Sequence, residues 1–524
     1  MAFSWKVVYD GKTPPPGEVV RPDERLSWGR TVGLGAQHVV AMFGATFVFP
    51  IIMGLNPQLA ILMSGVATIC FLLIVQGKVP SYLGTSASFV GGVAAIRAQG
   101  GTSAEVTGAI FMAGALLAII GLIIHFSGSR VIYTVLPPVV TGAVVMLIGF
   151  NLAPVVADIY WPQDQWVALI TMIFVIVCSV GLRGFAGRIS IFLGLVFGYV
   201  VSWLFDRIFG QITSFDPGTG EESTRFRTNF DGVTSADWIG FPPQTSIAAD
   251  GAEAVGWHLP SFNVAFILLV LPAVIALVAE NTGHVKAVAE MTDTDLDPVM
   301  GRAIGADGVG TMIATSVGGS PTTTYAENIG VMAATRVYST AAYYVAAIVA
   351  IVFGLSPKFG ALVASTPGGV LGGITVVLYG MIGLLGAKIW KENNVDFANP
   401  INLVPIAAGI IIAIGDTSLQ ITDNFVLSGI ALGTIVTIAG YHLARAVAPP
   451  YLKEADRRGA MLVYDQPGMY EEPPDDETTP RSDRPDRVGD EETRRTQVEQ
   501  LDRPDRPDRP DTPEPRDRRD TPPK

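Results

Sequence analysis

Two glutamates and a histidine, Glu280, His284 and Glu327, stand in stretches of sequence otherwise apolar enough to lie in lipid. The first stretch runs LPAVIALVAENTGHVKAVAEM from Leu271, the second SPTTTYAENIGVMAATR from Ser320. Glu280 and His284 are four residues apart, which puts them on one face of a helix. An ionisable group at membrane depth costs roughly 2.5–3.5 kcal/mol on insertion scales, so it is by default functional. Carboxylates accept hydrogen bonds from N–H donors, and two in one low-dielectric site cannot comfortably both be ionised, so at least one should carry an exchangeable proton. His284, one turn beyond Glu280, is placed either to relay that proton or to serve as a hydrogen-bonded packing residue.

Glu327 follows an extended, β-branched run, Thr322 to Tyr325, with Gly319 and Pro321 before it and a helix-compatible run after it. A second stretch of this kind, YLGTSASFVGGVAAIR from Tyr82 to Arg97, occupies the corresponding place in the first half of the chain. Paired interrupted segments point to a transporter built from inverted repeats with its binding site near mid-membrane. A half helix that begins inside the membrane leaves backbone N–H groups unpaired, and those around Ala87 and Ala326 need an acceptor such as a ligand carbonyl. A planar, uncharged ring with alternating N–H and C=O groups satisfies both sets. Its N–H groups donate to Glu280 and Glu327 and its carbonyls accept from the backbone, so a nucleobase-like ligand is expected.

The elements that must hold these residues are membrane spans. Of 524 residues, 49% are hydrophobic, only 16% are charged and 57 are glycine, which favours the membrane class. Apolar runs approaching the roughly 20 residues needed to cross a bilayer are read near 32–54, 58–76, 106–126, 137–157, 166–182, 189–208, 263–284, 338–355, 367–387, 402–415 and 425–443. With the interrupted segments 82–97 and 322–336 and a Gly-rich helix at 304–319, the expectation is an all-α polytopic membrane protein of about fourteen crossings.

A cytoplasmic N-terminus puts Lys78, Arg130, Arg183, Arg188, Lys286, Arg302, Arg336, Lys388, Lys391 and Arg445 in or beside inner loops, against Arg97 and Lys358 outside. The acidic connection from about Gln211 to Ser261 then faces outward. About half of the net charge of −12 lies beyond Leu452, in a Pro-, Asp- and Arg-rich tail expected to be disordered and cytoplasmic. Cys70 and Cys178 sit in apolar runs, so neither a disulfide nor a thiolate metal site is expected, and Met1 to Trp28 lacks the apolar region of a cleavable signal.

The stretches QHVVAMFGATFVFP from Gln37, GKVPSYLGTSASF ending at Phe89, AENTGH at 279–284 and TTYAENIGVMAATR at 323–336 resemble the nucleobase/ascorbate transporter (nucleobase:cation symporter-2) family, and within it bacterial uracil permeases. The resemblance covers about residues 24 to 447. It implies fourteen transmembrane segments in two inverted seven-segment repeats, with short extended pieces in segments 3 and 10. A cytoplasmic segment (1–29) would precede a first core section (30–130), a first gate section (131–210) and an extracellular loop (211–261). A second core section (262–357), a second gate section (358–447) and the tail (448–524) would follow.

By the same resemblance, Glu280 and Glu327 bind substrate and His284, with Glu280, couples protons. Ala45 lines the pocket, backbone at Ala87 and Ala326 reaches the base, and Phe89, Tyr325 and Tyr379 lie near it. Gln37, His38 and Asn328 support the site, although a buried hydrogen-bonded pair is an equally good reading of Gln37 and His38. The implied activity is proton-coupled import of uracil or a similar pyrimidine by an elevator-type movement in a homodimer, in a bacterial cytoplasmic membrane with both termini inside. No cofactor, metal or nucleic acid is expected.

Where the uracil transporters carry an aromatic residue and a glycine, this chain has Ala87 and Ala326, which widens the pocket unless Phe89 or Tyr325 fills it. A xanthine or urate permease is therefore the alternative. An anion carrier of related fold is disfavoured because two acids repel anions, and an intramembrane enzyme because no HExxH, phosphate loop or convincing nucleophile is present.

Overall fold

The structure, a computed structural model, describes residues 4–15, 18–128, 136–183, 185–216, 220–242, 245–247, 253–415, 417–422 and 425–453. The charged tail expected to be disordered lies outside the described residues. The first half of the chain forms helices α1 (Trp28–Ile52), α2 (Pro57–Ile74), α3 (Val90–Ala98), α4 (Ser103–Ser127), α5 (Pro138–Asn151), α6 (Gln165–Gly181) and α7 (Ser190–Phe209). The second half holds α8 (Val264–Thr292), α9 (Asp297–Thr315), α10 (Ala326–Thr335), α11 (Thr340–Gly354), α12 (Pro357–Ala364), α13 (Gly368–Glu392), α14 (Pro400–Ile414) and α15 (Gly429–Val447). Among the described residues, eight helices are long and apolar enough to cross a membrane, or nine if the bent pair α11 and α12 is one span.

Local chemistry sets several of the boundaries. Asn56, Asp164, Asn263 and Asn399 each cap a helix by accepting backbone N–H groups, those of Leu59, of Trp166 and Val167, of Ala265 and of Ile401 respectively. Thr102 and Glu105 form a reciprocal capping box at the start of α4. Two expectations are corrected. The span expected to end at 284 runs on as α8 to Thr292, so Glu280 and His284 lie well inside the helix. The span expected at 338–355 is followed, after a bend of 84°, by the additional helix α12, which starts at Pro357 with Ser356 as its cap. The connection between α7 and α8 contains antiparallel strand pairs, Ile212–Asp216 with Glu221–Arg225 and Thr245–Ile247 with Glu253–Val255, which its composition does not announce.

One large buried cluster joins α1, α2, α3, α4, α8, α9 and α11. A second is built mainly by α5, α14 and α15, and a third by α6, α7 and α13. The high glycine content has a packing use where helices cross. A methyl group at Gly121 of α4 would run into the backbone of Gly305 in α9, and one at Gly149 of α5 into Gly383 in α13.

The two interrupted segments meet directly. Strands Leu83–Thr85 and Thr322–Thr324 pair antiparallel, with Gly84 opposite Thr323. Ser86 N donates to Pro321 O (2.9 Å) and Tyr325 N to Tyr82 O (3.2 Å), which extends the crossing at both ends. Because the strands are antiparallel, the helical pieces that follow them leave the crossing in opposite directions: a single turn Ala87–Phe89 leading into α3, and α10.

Candidate functional site

Glu280 lies on α8, and Glu327 is the second residue of α10. The carboxyl of Glu280 is near enough to those of Glu327 and Asp307 to feel their charge. Glu280, His284 and Glu327 are partly exposed and Ala326 is exposed, although Thr322 to Tyr325 just before them are buried. A methyl group added at Gly283 would meet no atom, so open space adjoins this part of α8. Acids left partly exposed within an otherwise apolar bundle are the polar groups a ligand could reach.

The hydrogen bonds around His284 have a direction. Thr324 Oγ1 donates to Asn281 Oδ1 at 3.0 Å, because a carbonyl oxygen can only accept. With the single hydroxyl proton used there, the 2.7 Å contact between His284 Nδ1 and Thr324 Oγ1 requires the ring nitrogen to donate. Nδ1 then carries the proton and the neutral ring keeps its lone pair on Nε2, a tautomer inferred from the network. Asn281 Nδ2 continues the chain to Asp307 Oδ2 at 2.6 Å and to Leu277 O at 3.0 Å. The histidine is thereby fixed by the strand before α10 and linked through one amide to a fully buried carboxyl on α9.

Asp307 is the residue that sequence reasoning passed over. Its signal is present, since no other Asp, Glu, Lys, Arg or His stands between Arg302 and Glu327. Nothing in the surrounding run GADGVGT says that the helix packs near Glu280, which is a non-local fact.

The remaining expected residues divide by place. Tyr325 is buried, and its ring lies on Gly84, where any added methyl group would strike it. Its hydroxyl donates to Thr85 O at 2.7 Å and accepts from Thr46 Oγ1 at 3.1 Å, so this side chain braces the strand crossing and its polar end is already used. Phe89 is fully buried in the main cluster, away from the partly exposed surface. Ala87 itself is partly exposed. Tyr379, on α13, is buried and stacks on Phe49 of α1 with ring centres 6.4 Å apart.

His38 and Asn328 form a buried joint between α1 and α10. Asn328 Nδ2 donates to His38 O at 2.9 Å and lies 3.2 Å from His38 Nδ1, while the His38 ring packs 4.4 Å from that of Tyr343. Gln37 beside it is partly exposed. Ala45 lies within α1, and its side chain is outside the described residues.

A bundle with two half helices crossing at their starts, and carboxyl groups gathered there, has the architecture of a multi-pass membrane carrier. In overall fold the chain is similar to the murine solute carrier 26 family member A9 anion transporter in its inward-facing state. The TM-score is 0.54 at 11% identity, over 80% of this chain and 68% of that one. A family model described as a permease family matches residues 29–422, and the chain belongs to that family. It is the nucleobase/ascorbate transporter family that the QHVVAMFGATFVFP and TTYAENIGVMAATR stretches resemble, a family of permeases and not of enzymes. Among its relatives is RutG of Escherichia coli (strain K12), provisionally named a pyrimidine permease, with 42% identity over 80% of this chain and 90% of that one. Another is the uracil permease of Bacillus caldolyticus, with 35% identity over 79% of this chain and 92% of that one.

Proposed function

We propose that this protein is a proton-coupled symporter that imports uracil or a similar pyrimidine base. The observation that carries the reading is that Glu280 and Glu327, both partly exposed, lie near enough for their carboxyl groups to feel each other's charge. Ring N–H groups of the base donate to the two carboxyl groups, and its carbonyls accept from the backbone N–H groups at Ala326 and Ala87. Glu280 exchanges a proton, and His284, held by Thr324 with Nε2 as acceptor, receives or returns it. The relatives of 42% and 35% identity support a pyrimidine over other small ligands.

In this reading the chain crosses the membrane fourteen times as two inverted repeats of seven. The core comprises residues 30–130 and 262–357 and carries the base past a gate made of 131–210 and 358–447. The protein works as a homodimer in a bacterial cytoplasmic membrane, with both termini inside and the 211–261 loop outside. A xanthine or urate permease is the second reading. It is favoured by Ala87, a small, partly exposed residue where the uracil transporters that the chain resembles carry an aromatic ring.

Uptake of radiolabelled uracil into proteoliposomes, with and without an inward proton gradient, tests the proposal. Accumulation that depends on the gradient and yields to excess unlabelled uracil is expected. Uptake of xanthine but not uracil would transfer the assignment to the purine reading, and uptake indifferent to the gradient would remove proton coupling.

A further inference from the structure

The chain ahead of α1 has the sequence of a plain polar leader, with three consecutive prolines at Pro14 to Pro16, yet it folds onto the protein. Lys6–Val7 pairs with Glu24–Arg25, Ser27 N donates to Gly11 O at 3.1 Å, and Val20 and Leu26 are 0% and 2% exposed. The surface it covers is the connection that immediately follows α10. Val20 N donates to Arg336 O at 2.9 Å, and Val20 O accepts from Tyr338 N at 2.8 Å. Pro22 O accepts from Thr340 N (3.1 Å) and Thr340 Oγ1 (2.8 Å), and Trp5 Nε1 donates to Thr340 Oγ1 at 2.9 Å. Arg336, at a left-handed φ of 58°, ends α10 and donates from Nη1 to Pro15 O at 2.9 Å. A non-glycine residue holds that conformation when its surroundings over-determine it, and here the surroundings are the N-terminal arm.

The other half of the molecule repeats the arrangement. The segment leading into α8 seats on the first turns of α4, the helix after α3. Ser261 N donates to Ala104 O at 2.8 Å, Asn263 Nδ2 to Glu105 Oε1 at 3.3 Å, and His258 Nε2 lies 3.0 Å from Thr107 Oγ1. In both places, then, the lead-in to the first helix of one half fastens a segment beyond the half helix of the other, but only the N-terminal arm reaches the residue that ends its half helix, Arg336.

We propose that residues 5–15 and 18–27 are a positioning element of the transport site, a clamp on the end of α10 that fixes where its first turn presents Ala326 and Glu327. A helix of ten residues is too short to hold its own position and needs both ends fastened. The strand crossing fastens the start and the arm fastens the finish. This positioning role rests on the assignment of Glu327 to the substrate site, whereas the fastening of α10 itself does not.

The test compares Val20→Pro, which removes the N–H given to Arg336, with Val20→Ala, which trims the side chain and keeps that N–H, in the full-length protein. Hydrogen exchange is followed in 326–340 and, as an internal reference, in 90–98, and uracil affinity is measured on the same samples. Val20→Pro is expected to speed exchange in 326–340 by about tenfold and weaken uracil binding by about tenfold, with 90–98 unchanged. Val20→Ala should stay close to wild type in affinity. Unchanged exchange at 326–340 in Val20→Pro, or equal acceleration in both half helices, would overturn the clamp. Faster exchange at 326–340 without a change in affinity would leave the arm a structural brace and overturn its positioning role. A wild-type protein that binds no uracil would instead remove the substrate reading, and the exchange comparison would still report on the clamp.

Discussion

The two interrupted segments share a plan, a three-residue strand followed by a short helix, but they finish their starts differently. In the first, Ser86 caps the turn that follows, its hydroxyl accepting from Ser88 N at 3.3 Å. In the second, the residue in the same place is Tyr325, which gives α10 no side-chain cap and whose hydroxyl is bound to Thr85 and Thr46. The first helix carries no ionisable residue until Arg97, whereas the second has Glu327 in its opening turn. One crossing thus contains a start capped by a hydroxyl and a start that carries its own carboxyl group near that of Glu280. Pseudo-symmetric halves need not share the chemistry equally. Here the turn before α3 offers backbone alone, at Ala87, whereas α10 adds a carboxyl group to its backbone N–H groups.

Breaking the polar side should cost most. Glu327→Gln or Glu280→Gln presents an amide donor to a ring N–H, and each is expected to lower uracil uptake by about a hundredfold or more. If either variant took up uracil like wild type, the second segment would lose its place as the ligand-bearing one. Next comes the histidine's tether. Thr324→Val removes the acceptor of His284 Nδ1, and is expected to cut gradient-driven accumulation by about tenfold while equilibrium binding changes by less than about threefold. Equal loss of both would demote His284 to a packing residue.

Damage to the brace between the segments should be milder and should fall on stability. Tyr325→Phe keeps the ring on Gly84 and loses both hydroxyl bonds, a cost of about 1–3 kcal/mol in unfolding experiments. The smallest effect is expected from Ser86→Ala, about 1 kcal/mol of stability with uptake unchanged, because that cap serves the fold alone. A large loss of uptake in Ser86→Ala with stability intact would show that the cap itself, and not only the Ala87 backbone, serves the substrate.

Much of this contrast is legible in the sequence. The i, i+4 spacing of Glu280 and His284, the glycine- and threonine-rich interruptions and the acid at 327 are local signals, and local signals survive in sequence. The direct pairing of Gly84 with Thr323 could not be read, since it joins residues far apart in the chain. The same holds for Asp307, whose importance comes from Asn281 and Thr324 on other elements. Aromatic residues are hard to place from sequence for a related reason. Phe89 and Tyr325 have the type expected of a base-stacking ring, but burial is set by the partners each finds, Phe89 in the main cluster and Tyr325 over Gly84. The polar arm before α1 offered no hydrophobic period, so its docking through backbone groups of Val20 and Pro22 left no pattern to find.

Equilibrium binding of radiolabelled uracil to the purified protein, compared among wild type, Glu280→Gln and Glu327→Gln, reaches the central claim most directly. Saturable binding by the wild type, lost in both variants while each retains its folded helical signal, is the predicted result. Wild-type affinity in both variants would contradict it, because a site built on those two carboxyl groups cannot keep its ligand after losing them.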